Sequence, residues 1–323
     1  MSVFAGISEK YNWKIKGEPV RLTGGLMHKM YRVDTDRGVF AIKLLNPFVM
    51  QRKTALENFA RAERLESLME QNGIPAVFAL SFGGRKMQEL GGQYFYVFDY
   101  YPGKALSADG VTEYHCEAIG RTLAKIHGID RKEKAQSFSE TAIDWDFYLS
   151  ELKKADRKLY AELGSAKEII ENLQTNGNRA GKKLPPISAL CHNDMDCKNV
   201  LWSGEDFRII DLECLDYGNP FSELFELALC WSGLERRQID FGLFRAFLQG
   251  YKAAGGEMPK DPETLYDCNT GRLGWLEYNI KRVLGIDCGA DEKEIGIGQV
   301  RETLRLIVYY SEMKEQILKN CIL

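Results

Sequence analysis

The chain has 323 residues, 45% of them hydrophobic, enough to bury a sizeable core and to form two domains or one large two-lobed unit. Lys and Arg number 43 against 46 Asp and Glu, a net charge of −3 with no block of like charge, which argues against a nucleic-acid partner. No run approaches the roughly 18 apolar residues of a membrane span, the N-terminus lacks a basic start followed by an apolar core, and the eight cysteines include no C-x-x-C pair, so a cytoplasmic protein with reduced thiols and no membrane association is expected.

Residues 1–99 read as strands around one helix. "WKIKGEPVRLTGG", "MYRVDTDRG" and "VFAIKLLN" alternate or run apolar between turn residues, the pattern of an antiparallel meander. "TALENFARAERLESLMEQ" then places Leu56, Ala60, Leu65, Leu68 and Met69 at spacings of three and four, which predicts a helix from Thr54 to Gln71. Strands return in "AVFALSFGG" and "QYFYVFDYYPG". Residues 100–104 form a Pro-Gly hinge, and 105–323 are mainly helical, with periodicity over 112–127, 143–162, 164–175, 221–233, 238–254, 262–284 and 292–319. "ALCHNDMDCKNVLW" and "FRIIDLECLDYGNP" predict short strands flanking loops, and "NGNRAGKKLPP" (176–186) is the most loop-like stretch.

Two acidic loops carry the chemistry. Asp194 is followed five residues later by Asn199, and Asp211 lies twelve further on at the end of "FRII". An Asp and an Asn on one loop, opposed by an Asp at a strand end, can hold a divalent cation through hard oxygen atoms and leave one carboxylate for a hydroxyl proton, as phosphoryl transfer requires. A zinc site from Cys191, His192 and Cys197 is disfavoured because adjacent residues on a strand point to opposite faces. Lys43, mid-strand in "FAIKLL", needs an anionic partner if buried.

"HNDMDCKNVL" and "RIIDLE" resemble the catalytic loop and metal segment of the aminoglycoside phosphotransferase and choline kinase superfamily. That resemblance implies an α+β, bilobal protein-kinase-like fold: residues 1–99 as the nucleotide-binding lobe with a small antiparallel sheet and one helix, then the hinge, then 105–323 as a larger, mainly helical catalytic and substrate-binding lobe. It implies Asp194 as the catalytic base, Asn199 and Asp211 as Mg²⁺ ligands, and His192 as a structural residue. It extends upstream to Gly24 and Gly25, a glycine turn over the phosphates, and to Lys43, paired with ATP phosphates and with a helix glutamate. Glu63 is the expected partner, with Glu57 and Glu66 open because counting does not decide which helix face points inward. "YVFDYYPG" resembles the interlobe hinge, with Phe98 behind the adenine and the backbone of Asp99 and Tyr101 bonded to it. In "AIGRTLAKIHGI", His127 is expected to be structural.

The implied reaction is Mg²⁺-dependent transfer of the γ-phosphoryl of ATP or GTP to a hydroxyl of a small acceptor of aminoglycoside, choline/ethanolamine or hexosamine type; no protein partner can be inferred. A protein kinase is disfavoured, since the next helix begins within about ten residues of Asp211 and leaves no room for a long activation segment. The alternative is a kinase-fold nucleotide-binding or structural protein without turnover. Two departures stand out: Asp196, where a carboxylate either faces solvent, meets a cationic substrate or is offset by Lys198, and Glu223, where the family commonly has Asp. For the acceptor, Trp231, Trp275, Glu277 and Tyr278 could form an aromatic and acidic wall for a cation, or the aromatic residues could be core.

Overall fold

The computed structural model describes residues 3–22, 28–133, 139–286 and 292–321 and opens with α1 (Val3–Tyr11), a helix outside the sequence expectation. Nine residues interrupted by Gly6 have too little propensity to form a helix alone. Packing holds it: Ile7 is fully buried in a cluster with Trp13, Val33, Phe40, Ile42, Phe95 and Val97. A Cβ added at Gly6 would lie 2.4 Å from a Leu90 methyl.

β1 (Val20–Leu22), β2 (Lys29–Thr35) and β3 (Gly38–Leu44) follow, then the short α2 (Pro47–Met50), α3 (Ala55–Gln71), β4 (Gln88–Leu90), β5 (Gln93–Asp99) and β6 (Lys104–Ala105). The five longer-range strands form one antiparallel sheet in the order β1-β2-β3-β5-β4. Its register places Lys43 between Met30 and Tyr96 at the sheet centre. α3 runs as expected, but its buried stripe is Ala55, Phe59, Ala62, Leu65, Glu66 and Met69, while Leu56 is exposed. "AVFALSFGG" is not a continuous strand. Its backbone bonds go alternately to different elements: Val77 N–H donates to Ile209 and Leu80 N–H to Val97, leaving isolated bridges.

The chain continues through α4 (Glu113–Ile129), α5 (Trp145–Ala155), α6 (Arg157–Gly181), β7 (Ala189–Cys191), β8 (Val200–Ser203), β9 (Asp206–Ile209) and α7 (Pro220–Trp231). It ends with α8 (Phe241–Ala253), α9 (Pro262–Cys268), α10 (Gly271–Leu284), α11 (Lys293–Glu312) and α12 (Lys314–Asn320). The loop expected at 176–186 is helical to Gly181. Gly177 lets the helix approach its neighbours, since a Cβ there would lie 2.4 Å from Thr270, and the Asn178 side chain bonds the backbone of Thr141 at both its N–H and its C=O.

Two compact units emerge, Met1–Gly110 with His192–Asp216, and Val111–Cys191 with Tyr217–Leu323. The expected division at 99 and 105 is therefore revised: the segment carrying "HNDMDCKN" and "IIDLE" belongs with the N-terminal unit. The reason is pairing, since β8 joins β6 and β9, and Ile209 bridges Ala76. In the second unit α4 and α8 cross at glycine: a Cβ on Gly120 would lie 2.2 Å from the Phe247 carbonyl oxygen, and one on Gly250 2.3 Å from that of Glu117. Gly120→Ala is therefore expected to cost about 1–3 kcal/mol of stability by overpacking. A urea midpoint equal to wild type would show that the two backbones can separate without loss.

Candidate functional site

The segment from His192 to Asn199 is shaped by its own polar side chains. Asn193 has φ +64°, a left-handed conformation that asparagine tolerates better than most residues. His192 is fully buried and its Nδ1 accepts the Asp194 N–H at 3.2 Å, a structural role as expected. Asp196 caps the 3₁₀ turn Cys197–Asn199, its Oδ1 accepting the Lys198 N–H at 2.9 Å. The buried Asn199 donates through Nδ2 to the Asp194 carbonyl at 2.7 Å and to Asp194 Oδ2 at 2.8 Å.

Asp194 thus has its two carboxylate oxygens held separately, Oδ2 by Asn199 and Oδ1 by the Lys198 ammonium at 3.3 Å. Lys198 also reaches Asp196 Oδ2 at 2.6 Å. Of the three possibilities for Asp196, the structure places it against Lys198. Burial pushes the Asp194 carboxyl above its ordinary range, with Asp196 adding to the rise and Lys198 opposing it. Burial works against the charge on Lys198, but the two aspartates raise its pKa overall.

The second half of the site gathers on the sheet. Asp211, at φ +63°, precedes the 3₁₀ turn Leu212–Cys214. Lys43 Nζ donates to Asp211 Oδ1 at 2.6 Å and to Glu213 Oε2. Burial opposes the ammonium charge, yet the two carboxylates hold the Lys43 pKa above its usual value. Glu213 meets His28 Nε2 through Oε1 at 3.2 Å. Since the Asn46 N–H donates to His28 Nδ1 at 3.0 Å, Nδ1 is an acceptor and the ring proton is on Nε2, facing Glu213. Although burial alone would raise it, the His28 and Lys43 contacts lower the Glu213 carboxyl to about 2.

The expected Lys43–Glu63 pair is corrected by this geometry. Glu63 Oε1 accepts the Met87 N–H at 3.0 Å and the hydroxyl of Tyr96 at 2.8 Å. Tyr96 is the cross-strand neighbour of Lys43, so Glu63 reaches the adjacent strand and Glu213 supplies the second carboxylate. Glu66 accepts the Ala79 N–H and pairs with Lys86. The residues missed by sequence reasoning are Glu213, His28 and Asn193; the second acid of "IDLE" was a visible signal for the first.

The donor set suits a hard divalent cation. Asn199 uses its amide nitrogen twice on Asp194, which leaves its carbonyl oxygen to bind a cation, and Asp211 adds a carboxylate. Gly24 and Gly25 lie outside the described residues. Phe98 pairs with Ala41, and Asp99 ends β5 opposite Phe40. Tyr101 lies beyond it with Arg208 over its ring at 5.5 Å. Among the described residues, no hydrogen-bond partner reaches the buried Tyr101 hydroxyl.

In the second unit Trp231 is core, 1% exposed. Trp275 and Tyr278 are exposed and stacked, ring centroids 5.5 Å apart. Glu277 between them is engaged by the Tyr148 hydroxyl at 2.6 Å and Lys281 at 2.8 Å, so it is not an unpaired acid for a cation. His127 is buried as expected, its Nε2 2.7 Å from Glu223 Oε2 and its Nδ1 2.9 Å from the Tyr251 hydroxyl. Glu223 thereby ties α7 to α4. Cys191 joins this group, which among the described residues is the one Cys/His/acid cluster compact enough for a metal. However, its 2.7 Å contact fits a shared proton, whereas two such ligands of a tetrahedral zinc lie about 3.3 Å apart.

No helix among the described residues is long and apolar enough to cross a membrane. The chain is 26% identical over 168 residues to mouse ethanolamine kinase 1, covering 46% of each protein, so it spans less than half of that relative's length. A spectinomycin phosphotransferase in complex with ADP and spectinomycin superposes with a TM-score of 0.62 at 16% identity, over 99% of this chain and 98% of that one. A choline/ethanolamine kinase family protein from Mesorhizobium loti gives 0.57 at 17% identity, over 95% and 92%. These likenesses agree with the expected α+β protein-kinase-like fold. The model of the phosphotransferase enzyme family matches residues 19–266, most of the chain and all of the loops described above. The chain belongs to the phosphotransferase enzyme family.

Proposed function

We propose that the chain is a small-molecule kinase that moves the γ-phosphoryl of ATP or GTP to a hydroxyl of a small cationic or sugar-like acceptor. The observation that carries this reading is the joint placement, in one unit, of Asp194 with Asn199 and of Lys43 with Asp211. Lys43 has three ammonium protons, two of them given to Asp211 and Glu213, and the third is available to a phosphate oxygen. Asn199 and Asp211 would hold Mg²⁺, which when bound supplies positive charge to the phosphate oxygens. Asp194 would receive or align the acceptor hydroxyl through Oδ1, the oxygen that Asn199 leaves open; Lys198, beside it, would offset charge developing there. Phe98 and the backbone of Asp99 and Tyr101 would hold the base.

For the acceptor, Trp275 keeps an exposed aromatic surface suited to a cation, whereas the Tyr278 ring is stacked on Trp275 with the Arg282 guanidinium 5.3 Å from its centre, and the charge of Glu277 is offset by Lys281. Ethanolamine kinase and spectinomycin phosphotransferase relatives support both acceptor classes. A phosphotransfer screen with ATP and GTP over choline, ethanolamine, hexosamines, aminoglycosides and macrolides tests the reading. One acceptor class is expected to be phosphorylated, with activity abolished by EDTA and restored by Mg²⁺. Nucleotide binding with every acceptor left unmodified would replace the proposal with a nucleotide-binding protein that does not turn over.

A further inference from the structure

Residue 193 requires a left-handed backbone, and glycine would meet that requirement at no steric cost. Asparagine meets it and does something glycine cannot: its Nδ2 donates to the Cys214 carbonyl at 2.9 Å. Cys214 closes the 3₁₀ turn that starts directly after Asp211. At the other end of the same loop, the Ile210 N–H donates to the Asn199 carbonyl at 2.9 Å. The two bonds bracket the loop against the Asp211 segment, one made by main chain alone and the other by a side chain. Between them lies Asp194, anchored to Asn199 but with no main-chain link of its own to the Asp211 turn among the described bonds.

We propose that Asn193 is a positioning residue whose amide bond to Cys214 sets the register between Asp194 and Asp211. The Asp211 turn is itself held on its far side by Lys43 and His28 through Glu213. The Asn193 bond therefore joins the loop to a turn whose place is already determined by the sheet. The kinetic consequence rests on the proposed phosphotransfer; the structural consequence does not.

Two variants keep the left-handed backbone and remove the donor. Asn193→Gly deletes the side chain, and Asn193→Asp keeps its size while placing a carboxylate oxygen against a carbonyl oxygen. For Asn193→Gly, loss of one hydrogen bond of this kind is expected to lower kcat by roughly tenfold and to speed amide exchange in the 192–199 peptide by a similar factor. The KM for nucleotide should stay near wild type, because Lys43 and Asp211 are untouched, and Asn193→Asp should lose at least as much turnover. A Gly variant with wild-type kcat would overturn the proposal, as would a loss appearing in nucleotide KM alone. If the wild-type protein transfers no phosphate, the functional reading fails and exchange decides: faster exchange in Asn193→Gly supports the tie, and unchanged exchange overturns it.

Discussion

Replacing Asp194 by asparagine is expected to lower phosphotransfer turnover by about 10²–10⁴-fold, the usual contribution of a positioned proton acceptor, without lowering thermal stability. The variant keeps the shape of the side chain and the main-chain oxygen that Asn199 bonds at 2.7 Å. Lys198 keeps Asp196 at 2.6 Å. Nucleotide affinity should be nearly unchanged, since Lys43, Asn199 and Asp211 remain. The stability part follows from burial, which raises the Asp194 carboxyl above its ordinary 3.8. An acid whose folded-state pKa is raised is penalised in the fold when ionised, so the penalty is absent below 3.8 and grows as pH rises through the folded-state value. At neutral pH the neutral amide removes it, and the variant should melt at or above the wild-type temperature, with the difference closing as pH falls towards 3.8. Steady-state kinetics and melting curves across pH read both parts. Turnover at the wild-type rate would remove Asp194 from the mechanism, and a clear fall in melting temperature would show that Lys198 depends on its charge.

The largest stability effect is expected at Glu223. It and His127 are 6% and 4% exposed and share a 2.7 Å contact between α7 and α4. Glu223→Ala would leave the imidazole without its carboxylate and open a void, costing about 3–5 kcal/mol, as removal of one member of a buried pair does. Glu223→Gln retains an oxygen for the His127 N–H and should cost clearly less. Urea unfolding separates the two. An Ala variant within about 1 kcal/mol of wild type would mean that Tyr251 and Cys191 orient the ring without Glu223.

Local periodicity made much of this architecture legible. β2 alternates, β3 and β5 run apolar, α3 has a helical repeat, and the periodic stretches of the second half fall on helices, although 143–162 divides at Asp156 and 262–284 and 292–319 each divide into two helices. What escaped depends on distant partners. α1 exists because Ile7 fits the sheet, and residues 176–181 stay helical because Gly177 and Asn178 meet Thr270 and Thr141. At the site, "HNDMDCKN", "IIDLE" and "AIKLL" exposed Asp194, Asn199, Asp211 and Lys43 through spacing and residue type. The pairing of Lys43 with Glu213 in place of Glu63 was not legible. It turns on which rotation of α3 faces Tyr96, and the helix buries Ala55, Phe59, Ala62 and Glu66 along with the expected Leu65 and Met69, leaving Leu56 exposed.

The discontinuity of the first unit has a consequence during synthesis. Lys43 and Asp211 are 168 residues apart in the chain. At about 5–20 residues per second, the lysine leaves the ribosome roughly ten to thirty seconds before its carboxylates exist. Until then the strand that carries it must keep an ammonium in water, so the centre of the sheet cannot close around it. A nascent chain stopped short of Asp211 would therefore lack both carboxylate partners of Lys43, and translation through the second loop supplies them.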